Sequence, residues 1–176
     1  IVFASSQMLR PVISLYVASI GGNKTMVGIV ASVFVMTAIV LRPLTGLAMD
    51  TLGRKTVLIT SIALFAVGGA VLPIGLTIPV LIGVRILQGI GWSGLPPATD
   101  TITSELIPAS RRGEGLGYSS TIRNLGIAFG PAMGLYIAED IGFGASFSLS
   151  TILAFVGLAV ASKVRSPYVP AAKPRT

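Results

Sequence analysis

The chain has 176 residues, of which 52% are hydrophobic and only 11% are charged, and it contains neither Cys nor His. Soluble domains carry about 25% charged residues, so this composition, with a mean hydropathy of +0.86, excludes an ordinary water-soluble domain and indicates a protein embedded in lipid. The absence of Cys and His excludes disulfides, thiolate chemistry, the usual zinc sites and catalytic His dyads. The sequence also shows no nucleophile–base pair, so we do not expect an enzyme.

Six apolar segments follow one another, each close to the roughly 20 residues that a helix needs to cross the hydrocarbon. They cover 1–20, 26–49, 56–76, 79–103, 115–138 and 143–164. The short breaks between them predict antiparallel neighbours in one compact unit. We therefore expect an all-α membrane protein with a six-helix bundle over 1–165, whose first helix is truncated because the chain starts inside an apolar stretch, and the beginning of a cytoplasmic linker over 166–176.

The basic residues lie between the apolar segments rather than in one patch, so the net charge of +7 indicates orientation in a membrane and not nucleic-acid binding. When the break after the second segment is placed in the cytoplasm, eight Lys and Arg fall on that side and only Lys24 on the other. The eight are Arg54, Lys55, Arg111, Arg112, Lys163, Arg165, Lys173 and Arg175. This asymmetry obeys the positive-inside rule and predicts a multi-pass protein of the cell membrane with both ends cytoplasmic.

The break between the second and third segments contains two glycines around a charged stretch. Gly46 permits two helix ends to approach closely, and Gly53 permits a tight turn. Asp50 is expected at a helix boundary within this turn, while Arg54 and Lys55 hold the turn at the anionic cytoplasmic face. The spacing resembles the signature loop of the major facilitator superfamily, Gly-x-x-x-Asp-basic-x-Gly-basic-basic.

The match departs from the family pattern at Thr51, where a basic residue is usual, so one ionic contact is expected to be absent. The stretch between the fourth and fifth segments also resembles the family's connection, and there Glu105 and Arg112 are expected to pair with Asp50 or Arg54. Surface pairs of this kind stabilise little unless they form a network. We interpret these charges, together with the signature loop, as a conformational switch that forms in one state and breaks in the other.

The fourth segment contains Arg85 and Gln88 and, one turn later, Trp92. The spacing places Arg85 and Gln88 on one helix face, and an arginine within a membrane faces the bundle interior or a wet cavity because lipid exposure is expensive. The segment resembles the family's Arg-x-x-Gln-Gly-x-Gly pattern. Two roles remain open for Arg85: it tunes a proton site or attracts an anion, or it bonds to carbonyl groups of a neighbouring helix and to Gln7.

Polar side chains inside the apolar segments are expected to face inward and to line a cavity for substrate or proton coupling. The set comprises Gln7, Arg10, Arg85, Gln88, Trp92 and Arg123. No Asp or Glu lies at the middle of any segment. Either the carboxylate that couples transport to protons lies in the other half or in the lost start of the first helix, or the driving ion is handled otherwise. The surplus of arginine also permits an anionic substrate.

The fifth segment carries Gly126, Gly130 and Gly134 at intervals of four, a smooth stripe suited to close helix contact. Pro131 removes a backbone donor and favours a bend. The stripe resembles the Gly-x-x-x-Gly-Pro-x-x-Gly-Gly motif of the antiporter branch of the family, with Leu135 in place of the last glycine. Helix packing alone also explains the stripe.

Taken together, these resemblances imply the amino-terminal half of a twelve-helix major facilitator fold, built from two inverted three-helix repeats. They imply a secondary active transporter, specifically a proton-coupled exporter of small molecules or drugs that works by alternating access without a cofactor. Its partners would be the substrate, protons, the lipid bilayer and a carboxy-terminal six-helix half. Two alternatives stay open: an uptake or exchange carrier for an organic anion or sugar, and a half-size membrane scaffold that transports nothing.

Overall fold

The computed structural model describes residues 1–164, and within them the chain forms six α-helices and no β-strand. The helices are α1 (Val2–Ser19), α2 (Lys24–Leu52), α3 (Arg54–Val71), α4 (Ile78–Leu106), α5 (Arg112–Asp140) and α6 (Phe143–Lys163). Single turns of 3-10 helix at Leu72–Ile74 and Ala109–Arg111 precede α4 and α5. The all-helical prediction is confirmed for these residues, whereas the expected linker over 166–176, and Arg165, lie outside them.

The connection between α2 and α3 is shorter than the sequence suggested. Helix α2 runs on to Leu52, so Asp50 lies in its last turn and not in a loop. Helix α3 begins at Arg54, and Gly53 is the one residue between the two helices. Its φ of 90° lies in the region that glycine adopts without steric cost. The expectation of a turn over 50–55 is therefore wrong, because a positive φ at one glycine is enough to reverse the chain.

The connection between α4 and α5 is also shorter than expected, because both helices extend into the charged stretch over 105–114. Helix α4 continues to Leu106 and ends at Ile107, whose ψ of 128° is extended. The next residue is Pro108, which disfavours the helical conformation in the residue before it. Helix α5 then starts at Arg112.

Four helical segments are long and apolar enough to cross a membrane: Lys24–Leu52, Arg54–Ile74, Ile78–Leu106 and Phe143–Lys163. The remaining helices, α1 and α5, fall short of this criterion. Both are long enough but too polar: α1 includes Gln7 and Arg10, and α5 carries Arg123 near its middle. The prediction that every segment is apolar enough to span therefore holds for four of them by length and composition.

The helices contact one another in a regular pattern. Helix α1 lies mainly against α5 and α6, α4 lies mainly against α3 and α2, and α3 also contacts α6. The pattern repeats when α1 is matched with α4, α2 with α5 and α3 with α6: most contacts between two helices have a counterpart between the two matching helices. Most buried side chains come from α1, α3, α4 and α6, so these four helices form the core of the bundle.

The remaining two helices, α2 and α5, are each 29 residues long but bury only three residues each within the bundle. Their outer faces carry large exposed apolar side chains. On α2 these include Met36, Val40, Leu44 and Leu47, and on α5 they include Tyr118, Ile122, Phe129 and Tyr136. Apolar faces of this extent are rare on soluble monomers and mark contact with lipid or with further protein.

Glycines on α5 bring it close to α1. A Cβ added at Gly134 would lie 2.5 Å from the carbonyl oxygen of Met8, and one at Gly130 would lie 3.1 Å from the carbonyl oxygen of Ala4. At Gly126 the added atom would lie 3.3 Å from Cα of Ala4. The three glycines thus face the backbone of α1, the arrangement that small residues allow in membrane proteins.

Hydroxyl groups add polar contacts between helices. The Ser5 hydroxyl of α1 donates to the carbonyl oxygen of Ser150 of α6 at 2.8 Å, and the Ser150 hydroxyl donates to the Ser5 carbonyl at 3.1 Å. On α2, the Thr45 hydroxyl donates to the carbonyl oxygen of Ser93 at 3.4 Å. In a regular helix the N–H four residues later would donate to that carbonyl. The residue there is Pro97, which has no N–H. Side chains of neighbouring helices thus satisfy backbone groups that a proline leaves open.

The close α1–α5 contact predicts opposite outcomes for two glycines on the same helix. Gly134→Ala places a methyl group against the α1 backbone and should destabilise the protein by about 1–3 kcal/mol, the usual cost of overpacking. Gly117→Ala is the matched control, because a Cβ there meets nothing within 4 Å. Thermal denaturation of the full-length protein in detergent should give a lower Tm for Gly134→Ala alone. Equal Tm values for both variants would contradict the close contact.

Candidate functional site

The centre of the bundle contains a buried polar pair on α4. Arg85 is 5% exposed and Gln88 is fully buried. The Arg85 Nη1 donates to Oε1 of Gln88 at 3.2 Å, and the Arg85 guanidinium lies 5.3 Å from the ring centroid of Phe34 on α2. Because the two residues are three apart on one helix, the bond forms along a single face of α4.

The structure corrects the expected structural partners of Arg85. Within residues 1–164 its hydrogen bond goes to Gln88 on the same helix, and neither a carbonyl of another helix nor Gln7 accepts from it. Gln7 instead lies beside Gly130, where a Cβ on the glycine would approach the Gln7 Cβ to 3.1 Å. Gln7 therefore belongs to the α1–α5 contact.

Gln88 and Trp92 take packing positions rather than positions on a cavity wall. A Cβ added at Gly68 of α3 would lie 2.8 Å from Cγ of Gln88, so this glutamine fills space between α4 and α3. Trp92 is 8% exposed, and its ring centroid lies 5.0 Å from that of Phe3 and 5.9 Å from that of Phe65. The large apolar ring is most stable inside such an aromatic cluster.

A cavity of about 200 Å³ lies between α1, α2 and α4. Arg10 and Ser14 line it from α1, Arg85 lines it from α4, and Val30 and Phe34 are among the apolar side chains on the α2 side. Of the polar residues that the sequence suggested for a cavity, the structure brings Arg10 and Arg85 together here. Gln7, Gln88, Trp92 and Arg123 do not line this space.

Arg123 of α5 has a partner that sequence reasoning did not find. Its guanidinium forms an ion pair with Asp100 of α4, and a second bond joins Nη1 to Oδ2 at 3.4 Å. The same guanidinium lies 4.9 Å from the ring centroid of Phe3 on α1. Arg123 therefore links α5 to α4 through Asp100 and to α1 through Phe3. The one sequence signal for this pair was that both residues are charged and lie inside otherwise apolar helices.

The charged ends of α2, α3 and α4 meet at the end of the bundle that carries the signature loop. Arg54, the first residue of α3, forms an ion pair with Glu105 in the last turn of α4, one of the pairings that the sequence suggested. Asp50 and Arg112 are exposed, and Lys55 is partly exposed. The ion pair thus ties the helix that follows Gly53 to the end of α4.

Gly46 does not serve a close approach between helices in this part of the chain. A Cβ added there meets nothing within 4 Å, and the residue lines an open pocket together with Arg42, Pro97 and Asp100. Pro131 of the glycine stripe lies inside a continuous α5 and is partly exposed. The neighbours of Gly46 among residues 1–164 leave its small size unexplained.

The Asp100–Arg123 pair predicts a coupling between two substitutions. Removing one partner leaves a partly buried charge without its counter-ion. Breaking a fully buried pair costs about 3–5 kcal/mol of stability, and because this pair is partly exposed, its loss should cost less than that. Removing both charges should therefore be less damaging than the sum of the single changes. A double-mutant cycle with Asp100→Ala and Arg123→Ala, read by thermal unfolding of the full-length protein, measures this coupling. Strictly additive losses would show that the two residues act independently.

The family described as the Major Facilitator Superfamily matches residues 1–176. Among curated relatives, the quinolone resistance protein NorA of Staphylococcus aureus is 24% identical over 139 residues, which cover 79% of this chain and 36% of that protein. Multidrug resistance protein 1 of Bacillus subtilis (strain 168) is 27% identical over 154 residues, which cover 85% of this chain and 40% of that protein. The chain therefore spans well under half the length of these relatives.

Solved structures share the fold. The inward-open xylose transporter XylE from E. coli superposes with a TM-score of 0.72 at 21% identity, over 94% of this chain and 45% of that one. A crystal structure of a D-xylose–proton symporter gives a TM-score of 0.71 at 20% identity, over 94% and 46% of the two chains. These findings confirm the family that the sequence predicted: the chain belongs to the Major Facilitator Superfamily.

Proposed function

We propose that this chain is the amino-terminal, six-span half of a secondary active transporter that exports small molecules or drugs in exchange for protons. The observation that carries the proposal is the family match together with two relatives named for quinolone and multidrug resistance. The relatives are more than twice as long as the aligned region, which favours a transporter with a second half over a half-size scaffold. The partners would be the substrate, protons, the bilayer and the carboxy-terminal half.

The symmetric helix contacts support two inverted three-helix repeats. Helix α1 packs along α5 as α4 packs along α2, and the contact between α3 and α6 maps onto itself. Inverted repeats of this kind place substrate sites near the bilayer midplane at the interface between repeats or halves. Under this proposal α1 and α5, which are too polar for the simple criterion, span the membrane because protein covers their polar faces.

The proposed cycle alternates access between the two sides of the membrane. The Arg54–Glu105 ion pair and the exposed Asp50 lie at the end of the bundle where the sequence predicts the cytoplasm. Under this proposal, Gly46, Asp50, Gly53, Arg54, Lys55 and Arg112 govern switching between conformations rather than substrate contact. Gly126, Gly130, Pro131 and Gly134 keep α5 against α1 during the cycle.

The carboxylate that binds the transported proton is proposed to lie outside the described residues. Five of the six Asp and Glu side chains lie in or beside the end turns of helices. The sixth, Asp100, already has Arg123 as its counter-ion. Under this proposal Asp100 is therefore a structural partner of Arg123 that holds α4 to α5.

The proposed topology predicts opposite accessibility for two positions. In intact cells that carry the full transporter, Lys24→Cys should react with a membrane-impermeant maleimide, whereas Arg111→Cys should react only after permeabilisation. These 176 residues contain no Cys, and any Cys in the rest of the transporter is first replaced by Ser. Ala66→Cys is the control for a buried site, since Ala66 is fully buried and should stay unlabelled. Labelling of both exposed positions from the same side would exclude this topology.

The proposed function predicts proton-driven uptake of a quinolone into inside-out vesicles that contain the full-length transporter and hold an acidic interior. Asp50→Asn should lower the initial rate about tenfold, a typical conformational coupling, while quinolone binding stays nearly unchanged. Thr51→Asn, at the neighbouring exposed position, is the control and should transport normally.

Two outcomes would contradict these expectations. Movement of xylose instead of the quinolone would favour the sugar carrier that the sequence left open. A large loss of quinolone affinity in Asp50→Asn with a normal cycling rate would place Asp50 at the substrate and not at the switch.

A further inference from the structure

The cavity between α1, α2 and α4 holds positive charge without a counter-ion. Arg10 and Arg85 line it together, and the other lining side chains are Ser14 and apolar residues of α1 and α2. The six Asp and Glu side chains of the chain all lie within the described residues, and none of them lines this cavity.

Arg85 lines this cavity and uses only part of its hydrogen-bonding capacity within the bundle. Only 5% of Arg85 is exposed, yet its Nε atom has no hydrogen-bond partner among residues 1–164. Its Nη1 donates to the neutral amide of Gln88, and its guanidinium faces the ring of Phe34. A buried guanidinium that is left partly unpaired costs free energy, which a negatively charged acceptor would offset.

The two arginines and the apolar wall together define the chemistry of the missing group. A guanidinium presents its N–H groups in a fixed fork that matches a carboxylate, and two guanidinium groups that share a cavity repel each other until an anion lies between them. Val30 and Phe34 offer an apolar surface beside that position. The volume of about 200 Å³ is below the roughly 300 Å³ at which drug-sized pockets begin, so it suits an acid group with one small ring system.

We propose that the cavity bounded by Arg10, Arg85 and Phe34 is a binding site for an amphiphilic organic anion, with its carboxylate between the two arginines and its apolar body against α2. This inference rests on the proposed function in one respect, because it makes such an anion the substrate class of the transporter. The site lies between α1, which belongs to the first three-helix repeat, and α4, which belongs to the second.

The experiment measures binding of the fluorescent carboxylate naphthoate and of its uncharged amide, naphthamide, to the full-length transporter in lipid nanodiscs. The wild-type protein should bind naphthoate at least about tenfold more tightly than naphthamide, the effect expected of hydrogen bonds to a charged group. Arg10→Gln and Arg85→Gln should each remove about tenfold of naphthoate affinity and change naphthamide affinity little.

Two further variants keep the test decisive. Arg42→Gln, an exposed arginine on α2 that does not line this cavity, should keep the full preference for naphthoate. If the buried Arg85→Gln variant does not fold, Arg10→Gln carries the test, because Arg10 is exposed. Equal affinities for the acid and the amide in the wild-type protein, or an unchanged preference in Arg10→Gln, would overturn the proposal. Equal affinities would also result if a carboxylate from the rest of the transporter already fills the site, and the proposal would then be wrong as well.

The same vesicles used for proton-driven transport separate this inference from the proposed function. Proton-driven quinolone uptake without an arginine-dependent preference for naphthoate would overturn the anion site and leave the exporter intact. An arginine-dependent preference without proton-driven movement of any substrate would support the anion site and overturn the proposed exporter.

Discussion

Direct contact between helix backbones, made possible by glycine, is the constraint on which the rest of this bundle depends. Lipid tails are as apolar as leucine, so burial alone gives membrane helices little reason to associate, and close packing has to supply the attraction. The stripe on α5 meets the backbone of α1, and on α4 a Cβ at Gly91 would lie 2.5 Å from the carbonyl oxygen of Ser61 on α3. At Gly89 the same atom would lie 2.8 Å from the carbonyl oxygen of Phe34 on α2.

The buried arginine is tolerable only within this tight frame. Because α2 lies so close to α4, the Phe34 ring covers one side of Arg85, while Gln88 of α4 itself accepts its hydrogen bond, and only 5% of the residue is exposed. Looser packing would expose the guanidinium to hydrocarbon, where the cost is at least several kcal/mol. The glycines and the polar centre are thus linked in energy: Gly89 lies one turn after Arg85 on the same face of α4, and both contact Phe34 of α2.

Sequence patterns were most informative where a constraint is local. Gly53 could be assigned to a reversal of the chain because few other residues accept a positive φ, and the observed value of 90° agrees. The pairing of Arg54 with Glu105 was also accessible, since both residues were expected at the same end of the bundle. Even there the length of the connection was misjudged, because helices extend into polar segments as long as backbone hydrogen bonds remain available.

Properties that depend on the rotation of one helix against another could not be obtained in this way. Arg123 was assigned to the cavity because an inward orientation is its least costly one, but several inward directions exist, and Asp100 and Phe3 occupy the one that it takes. Gln88 shares a helix face with Arg85 yet lies against Gly68 of α3, because that glycine leaves room for it. Periodicity identifies a face and does not identify the helix that the face meets.

The single-residue connection at Gly53 has a mechanical consequence. One residue contributes two soft torsions, so α2 and α3 share a junction that can bend but has no slack in which to absorb displacement. A displacement of the α2 end must therefore be passed on to Arg54, the first residue of α3, and Arg54 is bound to Glu105 at the end of α4. Three helices are therefore coupled at one end of the bundle, and displacement of the α2 end either moves the ends of α3 and α4 with it or begins with rupture of that ion pair.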